Sequence, residues 1–158
     1  MRLFSSKGRH LIGVDVCATS VKLVDLQRQQ GILHLKSYGI EKLPIGAVVD
    51  KLIVDTEVVG NVIASLARRC QAAGSNAATA VSGSAVITKI IDMDMVLSDI
   101  ERDAQIRLDA DQYIPYPLED VNLDFEVLGP SSINDNMVQV LLAASRSENV
   151  DQRVDALT

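Results

Sequence analysis

Tryptophan is absent from this 158-residue sequence, and three Tyr and two Phe bring the aromatic share to only 3%. With 47% hydrophobic residues, the core must be built from Val, Ile, Leu and Ala, and the hydrophobic content excludes intrinsic disorder. So few rings argue against a binder of single-stranded nucleic acid, which stacks bases on aromatics in a basic groove. Positive charge is also scarce: 15 Lys+Arg against 21 Asp+Glu leave −6, and duplex binding is disfavoured because phosphate neutralisation dominates that affinity. No apolar run approaches the ~20 residues that span a bilayer, and the N-terminus lacks the apolar region of a signal peptide. A cytoplasmic protein is expected. Cys17 and Cys70 stand alone, without a CxxC or a nearby His pair. Both are expected to be buried, inert thiols rather than a disulfide or a zinc site.

The length fits one domain or two small lobes. Residues 11–16 (LIGVDV), 21–26 (VKLVDL) and 32–38 (ILHLKSY) are apolar and β-branched, with a Gly-containing linker at 27–31, so they predict an antiparallel three-stranded meander. Residues 41–55 read as a surface connection with one extended stretch at 48–54. The period then changes. Val59, Val62, Ile63, Leu66, Ala67, Cys70 and Ala73 recur at helical spacing, with Asp55 or Thr56 as cap, Arg68 and Arg69 in the last turn, and Gly74 as the stop. Residues 79–82 (TAVS) are expected to form a further strand, giving β-β-β-α-β.

A second unit reads β-α-β-β-α. Its strands are expected at 85–91, 121–127 and 137–144, the middle one alternating apolar and acidic residues. Ser98 with Glu101 offers a reciprocal capping box to a helix whose buried stripe is expected to be Leu97, Ile100, Ala104 and Leu108. Pro115 and Pro117 end it. A last helix opens at Ser145 or Ser147, is expected to turn Val150, Val154 and Leu157 inward, and reaches Thr158 without a stop signal, so the chain reads as a fragment.

Candidate chemistry is concentrated in a few places. From Gly13 to Lys22 (GVDVCATSVK) a strand, a tight polar turn and a second strand follow one another, with Asp15 and Lys22 flanking the turn. Two readings stay open. Backbone N–H groups of the turn can cradle a phosphate while Asp15 holds Mg²⁺ through water and Lys22 adds charge. Equally, this is an ordinary hairpin whose Thr and Ser bond their own backbone. Neither a Walker A loop nor a dinucleotide fingerprint is present. Asp92-Met-Asp94 resembles a metal pair but reads better as solvated loop residues. Ser82-Gly83-Ser84 is not a nucleophile elbow, and His10 and His34 are the only candidate bases. Between Asp92 and Glu126 eleven carboxylates face only Arg102 and Arg107, a local 2 − 11 = −9, while Arg2, Lys7 and Arg9 crowd the N-terminus. That band is either a solvated face or a docking face for a basic segment. The loop Tyr113-Ile-Pro-Tyr-Pro-Leu118 holds two of the three Tyr, and is expected either to meet a partner or to pack against the first lobe.

The segments LIGVDVCATSVKLVDL (11–26), SYGIEKLPIGAVV (37–49), AVSGSAVITK (80–89) and ADQYIPYPLEDVNLDFEVLGP (110–130) together resemble the PilM family of type IV pilus assembly proteins. That family is similar to FtsA within the actin-like ATPase superfamily. The resemblance implies a mixed α/β fold: a partial actin-like, ribonuclease-H-like subdomain over residues 1–83, an inserted FtsA-like β-α-β-β subdomain over 84–146, and at 147–158 a helix returning to the first subdomain. It makes 13–22 the first phosphate loop of a nucleotide site. Asp15 would lie near Mg²⁺, Ala18, Thr19 and Ser20 would offer amides and hydroxyls, and Lys22 would approach the phosphates. Cys17 stands where the family has a small flexible Gly, and would cost about 1 kcal/mol or more there if that position needs positive φ.

Family members continue into a second lobe that supplies the rest of the site. The resemblance therefore implies ATP and Mg²⁺ for the full-length protein, no tight nucleotide in this chain, and no enzymatic turnover by it. It also implies a cytoplasmic scaffold at the inner-membrane face. Such a scaffold docks the N-terminal tail of PilN between the two subdomains, meets other pilus assembly components, touches the membrane only through PilN, and binds no nucleic acid. Alternatives are an FtsA-type cell-division protein or an actin-superfamily ATPase.

Overall fold

A computed structural model describes residues 11–81 and 83–158. Arg2, Lys7, Arg9, His10 and Ser82, named above, lie outside the described residues. By internal contacts the chain divides into Met1–Ala80 with Gln152–Thr158, and Val81–Asp151.

In the first unit, β1 (Leu11–Val16), β2 (Ser20–Gln29) and β3 (Ile32–Lys42) form the expected meander. Strand alternation turns Ile12, Val14, Val21 and Leu23 to one face, where they are buried. The β2–β3 hairpin closes through Gln30 (φ 49°) and Gly31 (φ 85°), with Gln29 opposite Ile32. Positive φ at both positions is the geometry whose twist matches two flanking strands, and Gly31 takes it without a Cβ penalty. Residues 48–54 are not one extended stretch. They form a small hairpin of β4 (Val48–Val49) and β5 (Leu52–Ile53), turned by Asp50 (φ 49°) and Lys51 (φ 70°) without any glycine.

Helix α1 (Thr56–Arg69) starts at Asp55, whose Oδ1 accepts the Val58 N–H at 2.9 Å. It lays Val59, Ile63, Leu66 and Ala67 on the inner sheet face. Val59 and Leu66 are completely buried, each side chain contributing at most ~2–3 kcal/mol by removal from water. The helix stops earlier than Gly74. Gln71 takes the left-handed conformation (φ 55°), the Ala72 N–H bonds the Ala67 carbonyl at 2.8 Å, and the Gln71 N–H bonds that of Arg68 at 3.1 Å. Those two bonds satisfy the terminal carbonyls, so Ala72 is buried and the expected Ala73 is exposed. Strand β6 (Asn76–Ala78) lies before the TAVS segment, because its register is set by parallel pairing with β1, Leu11 opposite Asn76 and Gly13 opposite Ala78. The sheet order is β3-β2-β1-β6. Close helix–sheet contact depends on Gly39, where a Cβ would stand 2.7 Å from Leu66 Cδ1 and 3.0 Å from Cys70 Sγ.

The second unit holds β7 (Val86–Asp94), α2 (Asp99–Leu108), β8 (Val121–Pro130) and β9 (Met137–Arg146), with sheet order β7-β9-β8, all antiparallel. Alternation along β8 and the Ser98–Glu101 capping box are both present. The helix, however, faces the other way. Arg102 and Ile106 are buried, whereas Ile100, Ala104 and Leu108 point outward. Ile106 docks on Met93, Val140 and Leu142, and Arg102 reaches the Met95 carbonyl at 3.2 Å and Asp99 at 3.3 Å. A guanidinium with acceptors can thus sit at a half-apolar position, its stem packed and its head bonded. The Tyr-Pro loop enters the core of this same unit: Ile114 is buried with Ala110, Val121 and Ala144, and Tyr113 and Leu118 pack beside them.

Helix α3 (Ser147–Leu157) buries Asn149, Arg153 and Ala156, so its packed side is partly polar; of the three apolar residues expected inside, Leu157 packs against the first unit's core, Val150 is half-buried, and Val154 is exposed, a departure from the expectation. No helix among the described residues is long and apolar enough to cross a membrane.

Candidate functional site

The β1–β2 turn follows from register. Val16 stands opposite Val21 and Asp15 opposite Lys22, leaving Cys17, Ala18 and Thr19 to make the bend. It is pinned by Cys17 N–H to the Ser20 carbonyl and by Leu43 N–H to the Thr19 carbonyl, both 2.9 Å. The amides of Ala18 and Thr19 have no backbone partner among the described residues, and both residues are exposed. Gly13, one strand position inward, is also exposed.

Three side chains converge at this turn. Lys22 Nζ donates to Asp15 Oδ2 at 3.2 Å, the Cys17 thiol donates to the same oxygen at 3.3 Å, and Lys22 Nζ lies 3.6 Å from Cys17 Sγ. The Cys17 hydrogen bond, then that of Lys22, holds the Asp15 carboxyl below its ordinary value, and Asp15 in turn raises Lys22. Cys17 is half-buried rather than enclosed, a correction to the expectation of two buried thiols; Cys70 alone is buried. The residue is also absent from the positive-φ set, which among the described non-glycine residues is Gln30, Asp50, Lys51 and Gln71. Cys17 therefore sits in the turn without left-handed strain.

Other candidates fall apart. Asp94 Oδ1 accepts the Val96 N–H at 3.1 Å, a turn-forming use of the carboxylate. Among the described residues no group of three or more His, Cys, Asp and Glu gathers as a metal site. His34 is exposed on β3 opposite Gln27.

Three buried charges escaped the sequence reading: Arg102 of α2, described above, Asp25 and Arg153. Asp25 is fully buried, with Lys36 Nζ 3.4 Å from its Oδ2; its place after Val21 and Leu23 in the alternation was the available signal. Arg153, buried on α3, donates to the Ala80 carbonyl at 3.0 Å and to the Lys51 carbonyl at 3.1 Å.

The second unit contains a cavity of about 90 Å³, whose lining includes Ile114, Tyr116, Val121, Ala144 and Arg146. The Arg146 guanidinium lies over the Tyr116 ring, 5.9 Å from its centroid. Ligand pockets run to ~300–1,000 Å³, so this one suits a single side chain and not a nucleotide. In the first unit a larger groove of about 560 Å³ runs over Ile12, Val14, Gly60 and Ile63, and no residue of the 15–22 turn lines it.

Known proteins give the frame for these features. The chain is similar to a solved chain described as a PilM–PilN type IV pilus biogenesis complex, with 29% identity, a TM-score of 0.81, and coverage of 94% of this chain and 44% of that one. It thus spans less than half the length of the chain it matches. Residues 13–158 match the family of the type IV pilus assembly protein PilM, which contains both the β1–β2 turn and the whole second unit, and the chain belongs to that family.

Proposed function

We propose that the chain is the tail-docking portion of a type IV pilus assembly scaffold, which takes up the N-terminal tail of PilN and so sits at the cytoplasmic face of the inner membrane. The observation that carries this reading is the similarity, across 94% of the chain, to a protein solved as a PilM–PilN complex. Its role is binding rather than turnover.

In the full-length protein the β1–β2 turn would form one side of a site for ATP and Mg²⁺. The residues fit that use in kind: free amides at Ala18 and Thr19, an ionised Asp15 and a cationic Lys22. Mg²⁺ keeps several waters and needs only one or two carboxylates beside the phosphates, so a single Asp15 suffices from this side. Such a group, when bound, supplies charge to organise the turn. Asp15 holds Lys22 at the mouth of the bend, and an incoming phosphate competes with that carboxylate for the ammonium.

Titration of the full-length protein with a peptide of the PilN N-terminal tail, followed by calorimetry, tests the reading. A micromolar dissociation constant is expected. Absence of heat at high peptide concentration, with the protein folded, would overturn it.

A further inference from the structure

We propose that the outer face of the β7-β9-β8 sheet is a docking surface for an amphipathic helix of another protein that carries Lys or Arg on both flanks. The proposal does not depend on the tail reading.

Register decides which residues share this face, because residues paired across strands point the same way. Val140, Leu142 and Ala144 of β9 turn to the packed side and are buried. Met137, Gln139, Leu141 and Ala143 therefore turn to the other side. Ile90 of β7 stands there opposite Leu141, and Thr88 opposite Ala143. Ile90 is 58% exposed, and neither it nor Leu141 nor Ala143 belongs to a core cluster of this unit.

Carboxylates lie on both sides of that apolar track. Asp124 and Glu126 of β8 stand opposite Ala143 and Leu141, while Asp92 and Asp94 of β7 stand opposite Gln139 and Met137. All four are exposed. Asp94 and Asp124 each give one oxygen to a neighbouring amide, and none of the four joins an ion pair among the described residues. The cations of these strands, Lys89 and Arg146, stand opposite Leu142 and Val121, on the packed side. The acidic band of the sequence is thus split by register, and this face keeps four carboxylates with no cation of its own strands to offset them.

Spacing and charge together choose the occupant. β7 and β8 flank β9, so they lie two strand spacings apart, about 9–10 Å, close to the width of one α-helix lying along β9. The two acidic pairs are staggered along β9 by four residues, about 14 Å, which a helix covers in about nine residues. Nine residues turn a helix by about 900°, so cations at the two ends of that span point to opposite flanks. One reaches Asp124 and Glu126, the other Asp92 and Asp94, and the apolar stripe between them meets Ile90, Leu141 and Ala143. A second copy docked face to face would set like charges together, and an anionic lipid surface would be repelled likewise. A basic amphipathic helix is instead steered in by the acidic field.

The test places a photo-crosslinking residue at Ile90 of the full-length protein in its own cells, and a second at Ile100, which is 84% exposed on the helix covering the packed side. Crosslinks from Ile90 are expected to map to a helix of a different protein with Lys or Arg about nine residues apart. They should fall roughly tenfold or more when Asp92→Lys and Glu126→Lys are combined, and return when the partner's two cations are changed to Glu. The urea midpoint and binding of the PilN peptide should not change. If the reversed variant folds poorly, Asp92→Asn with Glu126→Gln replaces it, and a partial loss of the same product is expected. A crosslink to a second copy, to lipid or to the PilN tail would overturn the proposal, as would equal yield from Ile100, insensitivity to the charge changes, or no product.

Discussion

Arg153 Nε donates to the carbonyl of Ala80 at 3.0 Å, joining positions 73 residues apart. A second guanidinium nitrogen reaches the Lys51 carbonyl at 3.1 Å. Lys51 is one of the two left-handed residues of the β4–β5 turn, so one buried cation holds both that turn and the segment after β6. Burial pulls the Arg153 pKa down, yet a guanidinium stays charged in proteins and keeps its planar fork of donors.

Substituting Arg153→Met keeps most of the stem packing and removes both bonds. Hydrogen bonds to charged groups are worth ~1.5–3 kcal/mol, so a loss of roughly 2 kcal/mol is expected in urea unfolding. Arg153→Lys, with one point of charge, should recover only part of it. An unchanged midpoint for Arg153→Met would show that the two carbonyls find other partners.

Where one pattern has a single physical solution, sequence and structure agree. The alternating β8, the α1 stripe and the Ser98–Glu101 box are such cases, because one face must be dry or one amide must be capped. The meander was also legible, and with it the facing of Asp15 and Lys22 across the turn. Helix α2 was not, since both its sides carry apolar residues and the winner is decided by distant partners, Met93 and Val140, and by an acceptor for Arg102. The β6 position depended on pairing with β1 rather than on β propensity, which favours TAVS over NAA. The β4–β5 turn was hidden because Asp50 and Lys51 adopt positive φ with no glycine to signal it. Arg153 was missed because a burial argument from hydropathy alone puts Val154 inside in its place.

Gln71 closes α1 in a conformation that glycine adopts freely. The left-handed region costs an L-residue ~1–2 kcal/mol, and glycine returns ~0.5–1 kcal/mol of that through its looser unfolded chain. Gln71→Gly should therefore raise stability by a net amount of up to ~1 kcal/mol. A lower urea midpoint for that variant would mean that the Gln71 side chain contributes more than its backbone strain costs.

Gly39 allows Leu66 and Cys70 to touch the sheet. Adding a Cβ there meets Leu66 Cδ1 at 2.7 Å, and Leu66 is completely buried with little room to turn aside. Gly39→Val should cost about 1–3 kcal/mol by overpacking. Pairing it with Leu66→Ala should recover part of the loss, because the clash would be relieved. If the double variant simply shows the sum of two independent losses, the close approach is not what requires glycine.

Asp15 gives a prediction in pH. Its carboxyl is held below the ordinary value first by the Cys17 thiol and then by Lys22. An NMR titration should therefore place its midpoint below the model-compound 3.8, and Lys22→Ala or Cys17→Ala should each move it upward. The sign for stability follows from the depressed folded value. The ionised form binds its partners in the folded state, so the contribution is complete above the unfolded carboxylate pKa and disappears as pH falls through the folded one. With 63% of the Asp15 side chain and 47% of the Lys22 side chain exposed, water and salt screen the pair, and the stability change across that acid window should be small. The titration midpoint is thus the sensitive measurement. A midpoint at or above 3.8 that does not respond to either substitution would mean that Asp15 is solvated independently and that Lys22 is already free to meet a phosphate.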